Sequence, residues 1–309
     1  MPSPSSSPSG ETYTLEDLRT WRQDRVSLAV LGHPVRHSIS PQMHNAALAQ
    51  LASVDNRFER WRYYRFDVPP EKLVESLPLF HAAGFFGLNL TVPHKEIALA
   101  AVAEIDPHAK RIGAVNTLVR RDEGYKGHNT DGYGLSQAVR RELGRQFEAA
   151  DIVLLGAGGA ARAAALQCLL ENCRSLRIVN RNQERLNRLL DELSPEAERR
   201  AVQLTGSSPD AFTFDVDSPI VINATSLGLK PDDPLPISTA TLPAKAALYD
   251  MIYNPAETKL MRAFVDAGAA AANGLSMLVG QGAKALEIWS GYSVPEAAMT
   301  KAARGALGL

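Results

Sequence analysis

A chain of 309 residues suits two domains of ordinary size, each long enough to close its own core. Its 33 Lys and Arg against 34 Asp and Glu leave a formal net charge of −1, and no segment is basic enough to neutralise many phosphates, which argues against a nucleic-acid partner. No run approaches the roughly 18 apolar residues of a membrane span, and the start has neither the basic segment nor the apolar stretch of a secretory leader. A soluble, cytoplasmic protein is expected. The two cysteines, Cys168 and Cys173, fall in an apolar helical stretch and read as reduced and buried, which suits a reducing compartment.

A disordered tail is expected over residues 1–12, since its first ten (MPSPSSSPSG) hold no apolar residue after Met1. After an amphipathic start at Leu15 to Trp21, Ser27 to Leu31 reads as a buried strand that stops at Gly32-His33-Pro34. The segment His37-Ser38-Ile39-Ser40-Pro41 then sets two hydroxyls at i and i+2 before a helix that Pro41 can begin. Hydroxyls at a helix N-terminus make a carboxylate seat, because serine O–H and free backbone N–H groups both donate. The plainer reading is that Ser40 caps the helix. His33, His37 and His44 are spaced as a metal site would be, but no cysteine or carboxylate cluster accompanies them, so no metal is expected.

A strand at Trp61 to Val68 and a helix at Pro70 to Ala83, with Gly84 past its end, lead to the stretch Asn89-Leu90-Thr91-Val92-Pro93-His94-Lys95. Strand alternation puts Asn89 and Thr91 on one face and turns Leu88, Leu90 and Val92 to the core. Pro93 ends the strand, and Lys95 and Glu96 open an apolar helical run from Ile97 to Ala103. An amide, a hydroxyl and a cation thus meet at a strand-to-helix corner; the same residues also suit a surface lysine beside a polar turn. A hairpin follows at Val115 to Arg120 and Tyr125 to His128, with Asn116 at its start. Asn129-Thr130-Asp131-Gly132 then leads into a helix from Tyr133 to Leu143, with Asp131 as N-cap, a place that also allows it to face a cleft.

At residue 151 the pattern restarts with a short buried strand, Ile152 to Leu155. Gly156-Ala157-Gly158-Gly159-Ala160-Ala161 forms a glycine turn, and a helix runs from Ala160 to Leu170. Glycines let the backbone approach a pyrophosphate, to which the helix N-terminus offers N–H groups. A second strand, Leu176 to Val179, follows at the distance that the dinucleotide fingerprint requires. Where that fingerprint places an acid for NAD, this chain has Asn180-Arg181-Asn182, with Arg185 one turn on. A guanidinium suits a 2′-phosphate that an acid would repel, so the expected cofactor is NADP. Further strands read at Ala201 to Leu204, Ile220 to Asn223 and Ala247 to Ile252, and a helix at Glu257 to Ala267. Asn223-Ala224-Thr225 and Tyr249 fall near strand ends expected to look toward the nicotinamide. The last segment, Gly274 to Trp289, carries Met277 and Gln281 and is placed to return to the first domain.

The ordered set HSISP (37–41), NLTVPHKE (89–96), GAVNT (113–117), NTDG (129–132), GAGGAAR (156–162), NRN (180–182), NATSLG (223–228), YDMIYNP (249–255) and GLSMLVGQ (274–281) resembles the shikimate dehydrogenases over about residues 26–305. The resemblance implies an α/β fold of two domains facing a cleft. An N-terminal substrate-binding domain with a mainly parallel sheet (13–130 plus 275–309) would join a Rossmann-like NADP-binding domain (131–274). The implied reaction is reversible, NADPH-dependent reduction of 3-dehydroshikimate to shikimate.

Residue by residue, the resemblance implies Ser38 and Ser40 at the substrate carboxylate. It implies Asn89, Thr91, Asn116 and Gln281 at the ring hydroxyls or their neighbours, Tyr249 near the carboxylate and nicotinamide, and Lys95 with Asp131 as the catalytic pair. For the cofactor it implies the turn Gly156, Ala157, Gly158, Gly159 and Ala160, the 2′-phosphate segment Asn180, Arg181, Asn182 and Arg185, the strand end Asn223, Ala224 and Thr225, and Met277 against the nicotinamide. Asn182 departs from the threonine or serine frequent in the family. Implied partners are small molecules alone, in a monomer or homodimer. The rival readings are a quinate/shikimate dehydrogenase with relaxed cofactor choice, in which an acid commonly replaces the arginine signal, a non-catalytic sensor of shikimate or a nucleotide, and a folate-linked methylene dehydrogenase, which would leave the paired serines unexplained.

Overall fold

The structure, a computed structural model, describes residues 10–22, 24–91 and 93–309. The expectations for the tail over residues 1–9 and for a core-facing Val92 lie outside the described residues. At residues 10–12 the tail expectation is corrected: Arg65 donates to the Gly10 carbonyl (2.8 Å) and to Thr12 Oγ1 (2.9 Å). Tyr13 then pairs in parallel with Phe66. The chain divides into two compact units, Met1–Thr130 with Gln281–Leu309, and Asp131–Gly280.

The first unit holds β1 (Val26–Gly32), β2 (Trp61–Asp67), β3 (Phe85–Leu90), β4 (Glu104–Ile105), β5 (Thr117–Arg121) and β6 (Gly124–His128), in the order β2-β1-β3-β5-β6-β4. The pairs β1·β2, β1·β3 and β4·β6 are parallel. The pairs β3·β5 and β5·β6 are antiparallel. The sheet is therefore mixed, because Asp122 and Glu123 close a tight hairpin that a parallel pair cannot use. Every residue of β1 from Ser27 to Gly32 is buried, as in a strand covered on both faces. The core beside it is aromatic: Phe80 meets Phe66 and Phe85 edge to face, each at 5.0 Å.

Around this sheet lie α1 (Leu15–Arg19), α2 (Ser40–Ala52), α3 (Leu73–Ala82), α4 (His94–Ile97) and α5 (Pro107–Ile112). The helix expected over 97–103 is corrected to the single turn of α4 and a 3-10 turn at Ala98–Ala100. There the Lys95 carbonyl accepts the Val115 N–H at 3.0 Å, drawing the segment onto the strand side.

The second unit begins with α6 (Asp131–Leu143) and alternates β7 (Asp151–Leu155), α7 (Gly159–Leu170), β8 (Ser175–Val179), α8 (Gln183–Arg199), β9 (Gln203–Ser207), β10 (Ile220–Asn223), β11 (Ala247–Asp250), α9 (Lys259–Asp266) and β12 (Ala270–Asn273). Its sheet is parallel throughout, in the order β12-β11-β10-β7-β8-β9. Strand order reverses between β7 and β10, and in such sheets ligands bind outside the carboxyl ends at that reversal. The strand expected at Ala201 to Leu204 starts later, at Gln203, because Ala201 takes a left-handed conformation (φ 53°) that ends α8. The chain closes with α10 (Leu275–Ser290) and α11 (Glu296–Leu307). The unit boundary falls inside α10, after Gly280, whereas the sequence placed it after residue 274. The first turn of α10 is tied to β11, whose Tyr249 hydroxyl accepts the Met277 N–H at 3.0 Å.

Candidate active site

In the first unit the expected substrate residues gather at the carboxyl ends of β1 and β3 and at the start of β5. Ser38 Oγ accepts the N–H of Ser40 (3.3 Å) and donates to Ser40 Oγ (3.2 Å). Ser38, rather than Ser40, thus covers a free N–H at the start of α2, which corrects the capping expectation. Arg65 donates to the Ser38 carbonyl at 2.8 Å and fixes the loop from behind.

Thr91 follows β3, and its methyl lies against Gly32, where a Cβ would fall 2.3 Å away. Lys95 sits within α4, a turn pinned on two sides. Val115 holds the Lys95 carbonyl, and His94 Nε2 donates to the Val68 carbonyl at 2.7 Å. A carbonyl partner requires that nitrogen to carry the proton. Burial also pulls the His94 pKa down, which keeps the ring neutral.

Asn89 and Asn116 are more buried than site residues read from alternation would be, at 6% and 1% exposure. Asn89 Oδ1 accepts from the Tyr63 hydroxyl (2.7 Å), and its Nδ2 donates to Thr117 Oγ1 (3.0 Å) and the Asn116 carbonyl (3.1 Å). Asn116 Oδ1 accepts the Thr130 N–H (2.8 Å) and the Thr117 hydroxyl (3.0 Å), and its Nδ2 donates to Thr130 Oγ1 (3.0 Å) and Gln281 Oε1 (3.4 Å). The two amides thus order β3, β5 and the 129–130 loop from within. Sequence reading named neither Tyr63 nor Thr117; in a half-apolar strand their hydroxyls give no pattern of their own.

In the second unit the glycine turn stands at the end of β7. Gly156 has φ +112°, and a Cβ there would come within 3.2 Å of the Ala224 carbonyl oxygen, so only glycine lets β7 and β10 leave the sheet this closely. Gly158 is the N-cap of α7, and a Cβ on it would meet no protein atom within 4 Å. Gly158, Gly159 and Ala160 are exposed at this helix start, whose first N–H groups have no partner within the helix. Ala161, at the fingerprint's third position, is fully buried. At the end of β8, Asn180 Nδ2 donates to the Asn182 carbonyl (2.7 Å), Asn182 caps α8, and Arg181 and Arg185 are exposed.

Asn223 is spent on structure. Its Oδ1 accepts from Thr225 N (3.1 Å) and Thr225 Oγ1 (2.8 Å), and its Nδ2 donates to Asp250 (3.0 Å). It shapes the Ala224-Thr225 turn rather than presenting an amide. Tyr249 is fully buried, with its hydroxyl at Ser276 Oγ (3.1 Å) and Met277 N; burial raises its pKa strongly. Asp131 is buried as the first residue of α6, which begins two residues before the expected helix. Among the described residues no three His, Cys, Asp or Glu side chains group as a metal site.

A parallel sheet in dinucleotide-fold order with a glycine turn at its reversal, in one chain with a unit that carries paired serines and a buried amide network, defines the class: a two-unit nicotinamide dinucleotide-dependent dehydrogenase. Three family models match in chain order: the shikimate dehydrogenase substrate binding domain over residues 30–118, the shikimate/quinate 5-dehydrogenase over 137–226, and the shikimate 5′-dehydrogenase C-terminal domain over 274–304. The chain belongs to the shikimate dehydrogenase family.

It is 40% identical over 283 residues to the shikimate dehydrogenase (NADP+) of Symbiobacterium thermophilum, covering 91% of this chain and 94% of that one. Among solved structures, a shikimate dehydrogenase in complex with NADP+ superposes with a TM-score of 0.81 at 36% identity, over 92% of this chain and 96% of the other. The Thermus thermophilus enzyme in complex with NADP(H) and shikimate gives 0.78 at 34% identity, over 91% and 100%.

Proposed function

We infer that the chain is an NADP-dependent shikimate dehydrogenase, an oxidoreductase acting on a CH–OH group that interconverts 3-dehydroshikimate and shikimate on the route to chorismate and the aromatic amino acids. The observation that carries this reading is the 40% identity to an NADP-dependent shikimate dehydrogenase across nine-tenths of both chains. The donors of the second unit suit the cofactor: an exposed helix N-terminus beside an open Gly158 for the pyrophosphate, and two exposed guanidinium groups, Arg181 and Arg185, for a 2′-phosphate.

The bound cofactor supplies the hydride. The chain's own residues must seat the substrate and handle one proton. Ser38 and Ser40 donate to the carboxylate. Thr91 and Gln281 meet the ring hydroxyls, with Asn89 and Asn116 aligning them, and Tyr249 and Met277 serve the nicotinamide side. Lys95 donates its proton to the carbonyl oxygen as negative charge develops there, and Asp131 keeps the ammonium charged and oriented. In this reading residues 13–130 with the C-terminal segment form the substrate domain, and the parallel-sheet unit from residue 131 holds NADP. The ligands in this reading are small molecules and the enzyme is cytoplasmic; no described helix is long and apolar enough to cross a membrane.

The central family model names quinate as well as shikimate, which favours relaxed substrate choice as the second reading. Initial rates with shikimate and with quinate, each against NADP and NAD, separate the two. Fast reduction of NADP by shikimate alone is expected. Comparable rates with quinate or NAD move the chain to the relaxed class, and no turnover in any pairing leaves a sensor.

A further inference from the structure

We propose that Tyr63 is a positioning residue of the substrate site, its buried hydroxyl joining the carboxylate-binding serines, through the buried amides Asn89 and Asn116, to the hydroxyl-binding Gln281 in one directed chain of hydrogen bonds. The proposal rests on the reading of Ser38, Ser40 and Gln281 given above. Ser38 Oγ donates to Ser40 Oγ at 3.2 Å. Ser40 is the side-chain hydrogen-bond partner of the Tyr63 hydroxyl, and because Tyr63 gives its one proton to Asn89 Oδ1, its oxygen is left to accept from Ser40. Tyr63 donates to Asn89 Oδ1 at 2.7 Å, Asn89 Nδ2 to Thr117 Oγ1 at 3.0 Å, Thr117 to Asn116 Oδ1 at 3.0 Å, and Asn116 Nδ2 to Gln281 Oε1 at 3.4 Å.

Every link donates in the same sense, each amide accepting through its oxygen and passing the direction on through its nitrogen. Tyr63, Asn89, Thr117 and Asn116 are all buried, where hydrogen bonds polarise one another instead of exchanging with water. Tyr63 is the link that carries the chain across from α2 to β3. Its ring is held flat against His44, parallel at 4.1 Å, and His44 has no hydrogen-bond partner at either ring nitrogen. The histidine therefore acts as a platform that fixes the phenol's plane and leaves its hydroxyl to Ser40 and Asn89.

Tyr63→Phe keeps the ring on His44 and removes only the hydroxyl. The expected result is a KM for shikimate raised about tenfold, the loss of one or two modest buried hydrogen bonds, with kcat and the KM for NADP within about twofold of the parent. The decisive measurement is a double-mutant cycle between Ser40→Ala and Gln281→Ala on the shikimate KM, run with and without Tyr63→Phe. Coupling present in the parent and absent in the Tyr63→Phe background supports the proposal. Unchanged coupling, an unchanged KM, or a uniform loss of kcat and both KM values with a lowered Tm overturns it. If Tyr63→Phe does not fold, Thr117→Val cuts the chain two links further on, and the same cycle in that background decides. Ser40→Ala with a parental shikimate KM overturns instead the serine seat on which the proposal rests.

Discussion

Asn182 Oδ1 accepts the backbone N–H of Arg185 at 2.9 Å, so one side chain both caps α8 and sets the arginine in the helix's first turn. Asparagine caps as well as serine or threonine does, so the departure at this position leaves the loop's shape intact. The end of β8 carries two exposed guanidinium groups, Arg181 and Arg185, where an NAD-type fingerprint carries an acid. Each charge-assisted bond to a phosphate contributes about 1.5 to 3 kcal/mol. Arg181→Ala should therefore lower kcat/KM for NADP by roughly ten- to a hundredfold and leave the rate with NAD unchanged. Equal losses with both cofactors would show that Arg181 supports the loop and not the phosphate.

The second unit was the more legible of the two in sequence. Its parallel strands are short, continuous apolar runs punctuated by glycine, so Ile220 to Asn223 reads directly and the glycine turn follows from context. The amphipathic α8 lies in a stretch too polar to catch the eye between arginines and glutamates, and the alanines of β12 resemble a helix by composition. In the first unit, periodicity located the ends of β1 and β3 but could not tell a side chain that faces a ligand from one that faces another amide. Asn89 and Asn223 alternate outward in pattern, yet Asn89 spends its amide on β2 and β5, and Asn223 divides its own between the turn that follows it and Asp250 of β11. Only tertiary contact decides such cases.

Lys95 lies on a single helical turn fixed by Val115 on one side and by His94 on Val68 on the other, so truncating its side chain should leave the turn in place. Lys95→Ala is expected to lower kcat by at least about a hundredfold, the usual loss on removing a positioned acid, with a much smaller change in the shikimate KM. Unfolding temperature and cofactor affinity should match the parent. A near-parental kcat would take Lys95 out of the chemistry.

Gly156 combines a positive φ with a close approach to the Ala224 carbonyl oxygen, and alanine there meets both problems at once. A non-glycine residue held in that region costs about 1 to 3 kcal/mol. Relief by backbone movement would separate the ends of β7 and β10. Gly156→Ala should lower Tm and weaken NADP binding together, as read by thermal unfolding and cofactor fluorescence titration. Gly158→Ala, which meets no protein atom, should leave Tm unchanged and weaken cofactor binding alone. Tight NADP binding by Gly158→Ala would show that the turn does not approach the pyrophosphate.

His44 is fully buried against Tyr63, and burial pushes its pKa down to about 3. In the unfolded chain the same ring titrates near 6.5. Between those values the unfolded state binds a proton that the folded state refuses, so stability is fully present above about pH 6.5 and is lost as pH falls toward 3. At pH 5 the loss from this one group is about 2 kcal/mol, taking 1.36 kcal/mol per unit. His44→Phe keeps a ring against Tyr63 and removes the titration, whatever its effect on packing at neutral pH. Urea unfolding at pH 7 and pH 5 should show the parent losing about 2 kcal/mol more than His44→Phe over that interval. The buried His94 and the half-buried His128 titrate equally in both proteins and cancel in the difference. Equal losses would mean that His44 takes up its proton in the folded state, and that the Tyr63 platform admits water or a partner at low pH.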